Sequence, residues 1–381
     1  MIRNKKAKLC LNTMVSNESH VILRMLNSCY KYIDYWIIQD NGSTDGTQDI
    51  IRNFFAEKNI QGFLYEIPWQ FPGYNRDHAL QTALQFNHGC DWILRIDADE
   101  VLQVSDNFDW SVFDNTNLQS FNIAASQGNC SYQRCWLWNA KLPWKFKHDK
   151  RHEIIYLDQD NIGEHFQRIH LSTEFKHLIL GDGKTWHSPT KFFCDALEIE
   201  KDLLQSGKMN SDMYHLFYIA KSYRDSVFDH GSKFPFGSKH QDECLRRAIF
   251  YFNQYLNLSH DFENKKSASR IDEMAYMILV FMAECYKKLN DLDSALSSLL
   301  YADMFCPNRN EHLLEQAHLY LEKGDKLKLI ETTKILMKPD RKNPFPHYCF
   351  FINNEAYYDS GPYVKKLHEM ACTLNNIMTV A

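Results

Sequence analysis

Short apolar runs and stretches with apolar positions every three or four residues alternate through the first hundred residues. LCLNTMV (9–15), WIIQD (36–40), GFLYEI (62–67) and DWILRID (91–97) read as strands. The segment after Asn17, the amphipathic DIIRNFFAEK and RDHALQTALQF (76–86) read as helices, the last with Ala79, Leu80, Ala83 and Leu84 on one face. NGSTDGT (41–47) is a turn rich in residues that tolerate positive φ or cap helices. Such alternation predicts a parallel sheet with helices packed on it. From 100 to 190 the pattern changes to aromatics, polar loops and strand-like pieces such as SFNIAAS (120–126) and EIIYL (153–157). From about 192 onward it is helical throughout. The fold class expected is α/β followed by all-α, with domains at 1–190 and 191–381.

The helical part repeats. Ala283 and Ala317, Tyr286 and Tyr320, and Asp291 and Asp325 are each 34 residues apart, the tetratricopeptide period. In the middle copy Ala283, Tyr286, Ala295, Ala302 and Pro307 occupy the small, aromatic, small, small and proline positions. An earlier copy places Ala220 and Tyr223 in one helix and Ala248 and Phe252 in the next, with VFDHGSKFPFGSKHQ inserted between them. An ordinary helical bundle is the alternative, because repeat arrays need several stacked units to form a continuous core.

Composition narrows the function classes. Hydrophobic content of 44% excludes intrinsic disorder, and a net charge of −5 with scattered basic residues argues against nucleic acid as a partner. The eleven cysteines are dispersed, and Cys130 and Cys135 match no zinc spacing, which favours free thiols in a reducing, cytoplasmic setting. MIRNKKAKLC lacks a signal-peptide apolar stretch. The longest apolar run, MAYMILVFMAECY (274–286), is flanked and interrupted by acids, so no membrane span is expected.

The fourth strand ends in an acidic cluster, ILRIDADE, which places Asp97, Asp99 and Glu100 within four positions. A solvated turn is the bland reading. In an extended segment, however, the carboxylates of Asp97 and Asp99 point the same way and repel unless a cation lies between them. Hard oxygen ligands of this kind suit Mg2+ or Mn2+ shared with a phosphate.

Four ordered pieces, LCLNTMVSNES, WIIQDNGSTDGT, YNRDHAL and ILRIDADE, resemble the family 2 nucleotide-sugar glycosyltransferases of the Rossmann-like A-type fold. The resemblance covers about the first 190 residues, and a subgroup of these enzymes carries tetratricopeptide repeats downstream. It implies a metal-dependent, inverting transfer of one sugar from a UDP-sugar to an acceptor hydroxyl on a glycan, protein or peptide. Asp40 then binds uracil, Thr13 and Glu18 line the base pocket, and Arg76 faces the diphosphate. Asp99 ligates Mn2+ or Mg2+, Asp97 contacts ribose or metal, and Glu100 orients its neighbours. His187 in GDGKTWH is a further metal ligand, and Glu153 or His152 in RHEIIYL is the base, with Asp149 behind them. Against these stand local roles: Asp40 as a cap of the NGST turn, Ser16 or Asn17 as a helix cap, Arg76 as a surface ion pair. The QxxRW signature of processive synthases is absent, since QRCWLW (133–138) does not match it. The helical repeats are expected to dock a macromolecular acceptor or to join two subunits as a homodimer. Two rivals are an inactive scaffold and a sugar nucleotidyltransferase; the latter calls for a glycine-rich phosphate loop that LCLNTMVSNES lacks.

Overall fold

The computed structural model describes residues 6–127, 130–147, 154–158, 168–183, 188, 190–207, 212–228, 237–259, 273–307, 309–338, 365–370 and 372. The chain divides into two compact units, Met1–Ser188 and Pro189–Ala381.

The first unit opens with β1 (Leu9–Val15), α1 (Ile22–Cys29), β2 (Tyr35–Asp40), α2 (Thr47–Lys58), β3 (Gly62–Glu66), α3 (Pro72–Phe86) and β4 (Trp92–Arg95). The strands lie parallel in the order β3-β2-β1-β4, with Leu11 opposite both Trp36 and Leu94. β1 and β4 sit inside the sheet and are buried on both faces, so each opens on an apolar run, 9–11 and 92–94, with the polar Asn12, Thr13 and Arg95 following toward the strand ends. Side chains alternate between the two faces. Leu9, Leu11, Ile38, Trp92 and Leu94 join the core shared with α1 and α2, whereas Cys10, Ile37 and Ile93 pack with Leu80 and Ala83 of α3.

The sheet continues through β5 (Glu100–Val104), β6 (Ser120–Gln127), β7 (Cys130–Asn139), β10 (Arg168–His170) and β11 (Phe175–Ile179). β7 runs antiparallel between β4 and β6, and β11 lies between β6 and β5. β8 (Trp144–Phe146) and β9 (Ile155–Leu157) form a separate hairpin. That hairpin is tied to α3: the Asp77 carboxylate accepts from the Phe146 amide at 2.7 Å, and Gln81 donates to the Trp144 carbonyl at 2.7 Å.

Two helix starts differ from the sequence expectation. α3 begins at Pro72, four residues before Arg76, because proline suits the first turn while Phe71 is extended. α1 begins at Ile22, and neither Ser16 nor Asn17 caps it. Asn17 has φ 55° and instead accepts from the Thr44 amide at 2.7 Å, joining its loop to the NGSTDGT turn.

The second unit contains α4 (Lys191–Ser206), α5 (Met213–Phe228), α6 (Gly237–Ser259), α7 (Glu273–Lys288), α8 (Leu292–Phe305), α9 (Glu311–Glu322) and α10 (Lys326–Leu336). Each helix packs on the next in sequence. Ala220, Tyr223, Ala248, Phe252, Ala295, Ala302 and Ala317 are fully buried. The 34-residue period extends to the backbone. Asn290 and Gly324 both turn through positive φ, at 62° and 71°. The next residue donates to a tyrosine carbonyl in each copy, Asp291 to Tyr286 at 2.9 Å and Asp325 to Tyr320 at 2.8 Å. Each aspartate then caps the following helix, accepting from Ser294 at 3.1 Å and from Lys328 at 3.2 Å. Among the described residues, no helix is long and apolar enough to cross a membrane.

The cap assigns a value to one of these residues. Asp325→Ala is expected to lower stability by about 1 kcal/mol, the usual cost of losing an N-cap side chain. A urea titration of the full chain measures it, and an unchanged midpoint contradicts the capping role.

Candidate active site

The C-terminal ends of parallel strands are where open α/β sheets gather ligands. Here the ends of β1, β2 and β4 carry the sequence-predicted acids, and their loops are bonded to one another. Ser43 Oγ accepts from the Asn17 amide at 2.8 Å, and Thr47 Oγ1 from the Glu18 amide at 2.9 Å. Asp45 accepts from the Ser19 amide at 2.9 Å and from Thr47 Oγ1 at 2.6 Å. Gly42 and Gly46 supply the two positive φ values, 86° and 89°, that bend the β2–α2 loop back over the strand.

Asp40 is the last residue of β2 and is fully buried. Its Oδ2 accepts from the amides of Gly42 and Ser43, at 3.1 and 2.9 Å, and from Gln48 at 3.0 Å, so the turn-capping role is present. Its Oδ1 is buried and has no hydrogen-bond partner among the described residues. A buried acceptor without a donor is costly in itself, and an imide N–H is the kind of donor that would satisfy it. Thr13, buried in β1 opposite Ile38, lies two register positions from this strand end, and Glu18 is half-buried in the adjoining loop.

The acidic cluster is a turn, with the Glu100 amide bonded to the Asp97 carbonyl at 3.0 Å. Asp97 and Asp99 therefore do not share one side of an extended strand. Asp97 Oδ1 accepts from Arg76 at 2.8 Å and from Arg95 Nε at 3.2 Å, and Oδ2 accepts from Arg95 Nη2 at 3.1 Å. Burial acts to raise the Asp97 carboxyl, but Arg76 and then Arg95 outweigh it and hold the group well below the ordinary carboxylate range. Glu100 is buried and paired with Arg134 at 2.9 Å and with His177 Nδ1 at 3.3 Å. Burial lowers the His177 imidazole below its ordinary value, against the pull of Glu100.

Asp99 differs from both neighbours. It makes no ion pair among the described residues, and a Cβ built on Gly183 would lie 3.1 Å from its carboxylate, so any larger residue there would crowd it. Burial first, then the charges of Asp97 and Glu100, push the Asp99 carboxyl above its ordinary value. Gly183 is brought there by Asp182, whose carboxylate is gripped by both Arg24 Nη atoms at 2.8 and 2.6 Å.

Arg76, Asp97 and Asp99 thus meet at the end of β4, while Asp40, Thr13 and Glu18 lie at the ends of β2 and β1. His187, His152, Glu153 and Asp149 lie outside the described residues. The last three fall between Lys147 and Ile154, whose backbone atoms bond at 2.9 Å to close the β8–β9 hairpin. Sequence reasoning missed Arg24, Arg95, Arg134, Trp136, His177 and Asp182. A signal was present for two of these: Arg134 and Trp136 alternate with apolar Cys135 and Leu137, as two residues on one face of a strand do. Among the described residues no three His, Cys, Asp or Glu side chains gather to hold a metal ion. Of the two aspartates of this turn, Asp99 is the one that no guanidinium holds among the described residues, since both oxygens of Asp97 accept from arginines.

A parallel sheet whose strand ends collect buried acids and arginines is the frame of a nucleotide-binding α/β enzyme. Residues 13–106 match the family described as Glycosyl transferase family 2. The first unit accordingly carries a family 2 glycosyltransferase domain, with a helical region after it. An uncharacterized glycosyltransferase of Rickettsia prowazekii (strain Madrid E) is 34% identical over 95 residues, which is 25% of this chain and 29% of that protein. The chain thus covers less than a third of that relative's length. Among solved structures, S. aureus TarS is 14% identical, with 79% of this chain and 55% of that one aligned at a TM-score of 0.37. Its 1–349 fragment is 14% identical over 78% of this chain and 90% of the fragment, with a TM-score of 0.38.

Opposite shifts at two neighbouring acids make opposite stability predictions. Asp99 binds its proton more tightly folded than unfolded, so it destabilises the fold once pH rises through its raised value, and the penalty is absent in acid. Asp97 stabilises above the ordinary carboxylate range, and that contribution is lost as pH falls through its lowered value. At pH 7, without added metal, Asp99→Asn is expected to raise the melting temperature and Asp97→Asn to lower it, each by roughly 2–4 °C. Both differences shrink toward acid pH. Thermal unfolding at several pH values checks this, and shifts of the same sign contradict the assignment.

Proposed function

We propose that the chain transfers a single sugar from a UDP-sugar to an acceptor hydroxyl, with inversion and with Mn2+ or Mg2+ as cofactor, on an A-type glycosyltransferase fold. The observation that carries this reading is the acidic turn, in which Asp97 and Glu100 are neutralised by arginines while Asp99 has no ion pair among the described residues. A fixed arrangement that leaves one half-buried carboxylate without an ion pair among the described residues suits a cation carried in with a diphosphate.

When bound, a divalent cation supplies charge neutralisation to the departing nucleoside diphosphate. Asp99 is the ligand this chain offers it, and His187, four residues beyond Gly183 in sequence, is the second. Asp97, held by its two arginines, faces the ribose or the cation. Arg76, beside Asp97, donates to diphosphate oxygens. Asp40 accepts from the uracil imide at Oδ1, while its Oδ2 holds the turn; Thr13 and Glu18 line the base pocket. Glu153, or His152 beside it, takes the acceptor hydroxyl proton. The bond from the Phe146 amide to Asp77 supports that reading, because it ties β8, which precedes these two residues in sequence, to the helix bearing Arg76. The helical unit, read as tetratricopeptide-like, docks a glycan-bearing or protein acceptor or a second copy of the chain.

A screen of UDP-sugars for slow, manganese-dependent hydrolysis is expected to identify one donor, with hydrolysis abolished in Asp99→Asn. Hydrolysis that persists in Asp99→Asn, or that is indifferent to metal, contradicts the reading. Glu153→Gln is expected to lower turnover about 100-fold or more while leaving UDP affinity within about threefold, since a base acts in the transition state. Equal loss of both places Glu153 in the donor pocket instead.

A further inference from the structure

The geometry points to Trp136 as a positioning residue for donor binding, acting through Arg95 and Arg134 on the carboxylates of Asp97 and Glu100. The inference rests on the nucleotide-sugar reading and deepens it.

Trp136 is a half-buried residue of β7. The guanidinium carbon of Arg134 lies 3.4 Å from its ring centroid and that of Arg95 lies 4.0 Å away. Two planar cations this near one centroid collide and repel on a single face, so they occupy opposite faces, where the ring quadrupole attracts both. His177 meets the same ring edge-on, at 5.7 Å between centroids and 62° between planes.

Each guanidinium reaches a different end of the acidic turn. Arg95 bonds Asp97 at 3.2 and 3.1 Å, and Arg134 bonds Glu100 at 2.9 Å. The turn itself closes the circuit, since the Glu100 amide donates to the Asp97 carbonyl at 3.0 Å and the Asp97 amide approaches Glu100 Oε2 at 3.4 Å. The result is a closed ring running Asp97, Arg95, Trp136, Arg134, Glu100 and back to Asp97, with Asp99 on the turn between its two acids. Arg95 and Arg134 are only 9% and 14% exposed, so water does little to hold them apart or in place. Trp136 sets their spacing, and through them the shape of the turn that presents Asp99. An aliphatic side chain such as leucine fills part of the space without gripping either cation.

The test titrates UDP calorimetrically in the presence of Mn2+ into the full-length wild type, Trp136→Leu and Trp136→Phe, with thermal unfolding of each. Trp136→Leu is expected to weaken UDP binding about tenfold or more and to raise the donor KM with little change in kcat. Trp136→Phe loses packing too but keeps an aromatic face, and is expected to recover most of the affinity. A merely structural tryptophan predicts the reverse: melting temperatures that fall in both variants with UDP affinity unchanged, and that result overturns the inference. So does a folded Trp136→Phe that binds as poorly as Trp136→Leu. If Trp136→Leu does not fold, Arg134→Met opens the ring at a second point and is expected to show the same affinity loss; wild-type affinity there overturns the inference. A wild-type chain that fails to bind UDP overturns the nucleotide-sugar reading and this inference with it. Wild-type binding with unaltered variants overturns the inference alone.

Discussion

Three carboxylates within four residues at the end of a buried strand repel one another and lose hydration, so holding their turn against the sheet demands positive partners for most of that charge. The chain meets this constraint unevenly. Asp97 and Glu100 are matched by arginines projecting from β4, α3 and β7, whereas Asp99 is left beside Gly183 with its carboxyl raised. Much of the unit follows from that arrangement. β7 has to run antiparallel beside β4 to bring Arg134 and Trp136 to the turn, and β11 has to lie in the same sheet to bring His177 and Asp182 there. Arg24 of α1 then fixes Asp182, which joins the first helix of the unit to its last described strand.

A second economy is the double use of single residues. Asp40 closes the β2–α2 turn with one oxygen and keeps the other, buried and unpartnered among the described residues, at the strand end. Asp77 anchors the β8–β9 hairpin from the helix position next to Arg76. Structural bonds and site chemistry are therefore not separable by location, and substitutions here are best judged by affinity and stability together. In the helical unit, by contrast, repetition does the structural work. A positive-φ residue, a backbone bond to a tyrosine carbonyl and a capping aspartate recur at 34-residue spacing, so the α7–α8 and α9–α10 pairs are each closed by local chemistry of their own.

The four parallel strands were legible in the sequence as short, largely apolar runs separated by helical segments, those of β1 and β4 being buried on both faces. The ends of elements were less so: Asn17 looks like a helix cap until the neighbouring Thr44 amide claims its side chain, and Pro72 begins a helix that periodicity places later. In the site, Asp40, Arg76, Asp97 and Asp99 were legible as motif residues within the segment that matches the family. Their partners were not, because pairing depends on strand register. Leu94 opposite Leu137 is what places Arg95 beside Trp136, and no local pattern around either residue encodes that pairing. The extended geometry expected of Asp97 and Asp99 failed for a related reason, since the arginines that capture Asp97 favour a turn.

The central claim is that Asp99 is the one acid of the turn reserved for a cation that arrives with a nucleoside diphosphate. Electron paramagnetic resonance of Mn2+ titrated into the full chain, with and without UDP, tests it most directly. The account predicts one Mn2+ bound per chain when UDP is present and loss of that binding in Asp99→Asn, in a protein that remains folded. Stoichiometric Mn2+ binding that survives Asp99→Asn, or UDP binding that is the same with and without Mn2+, would contradict it.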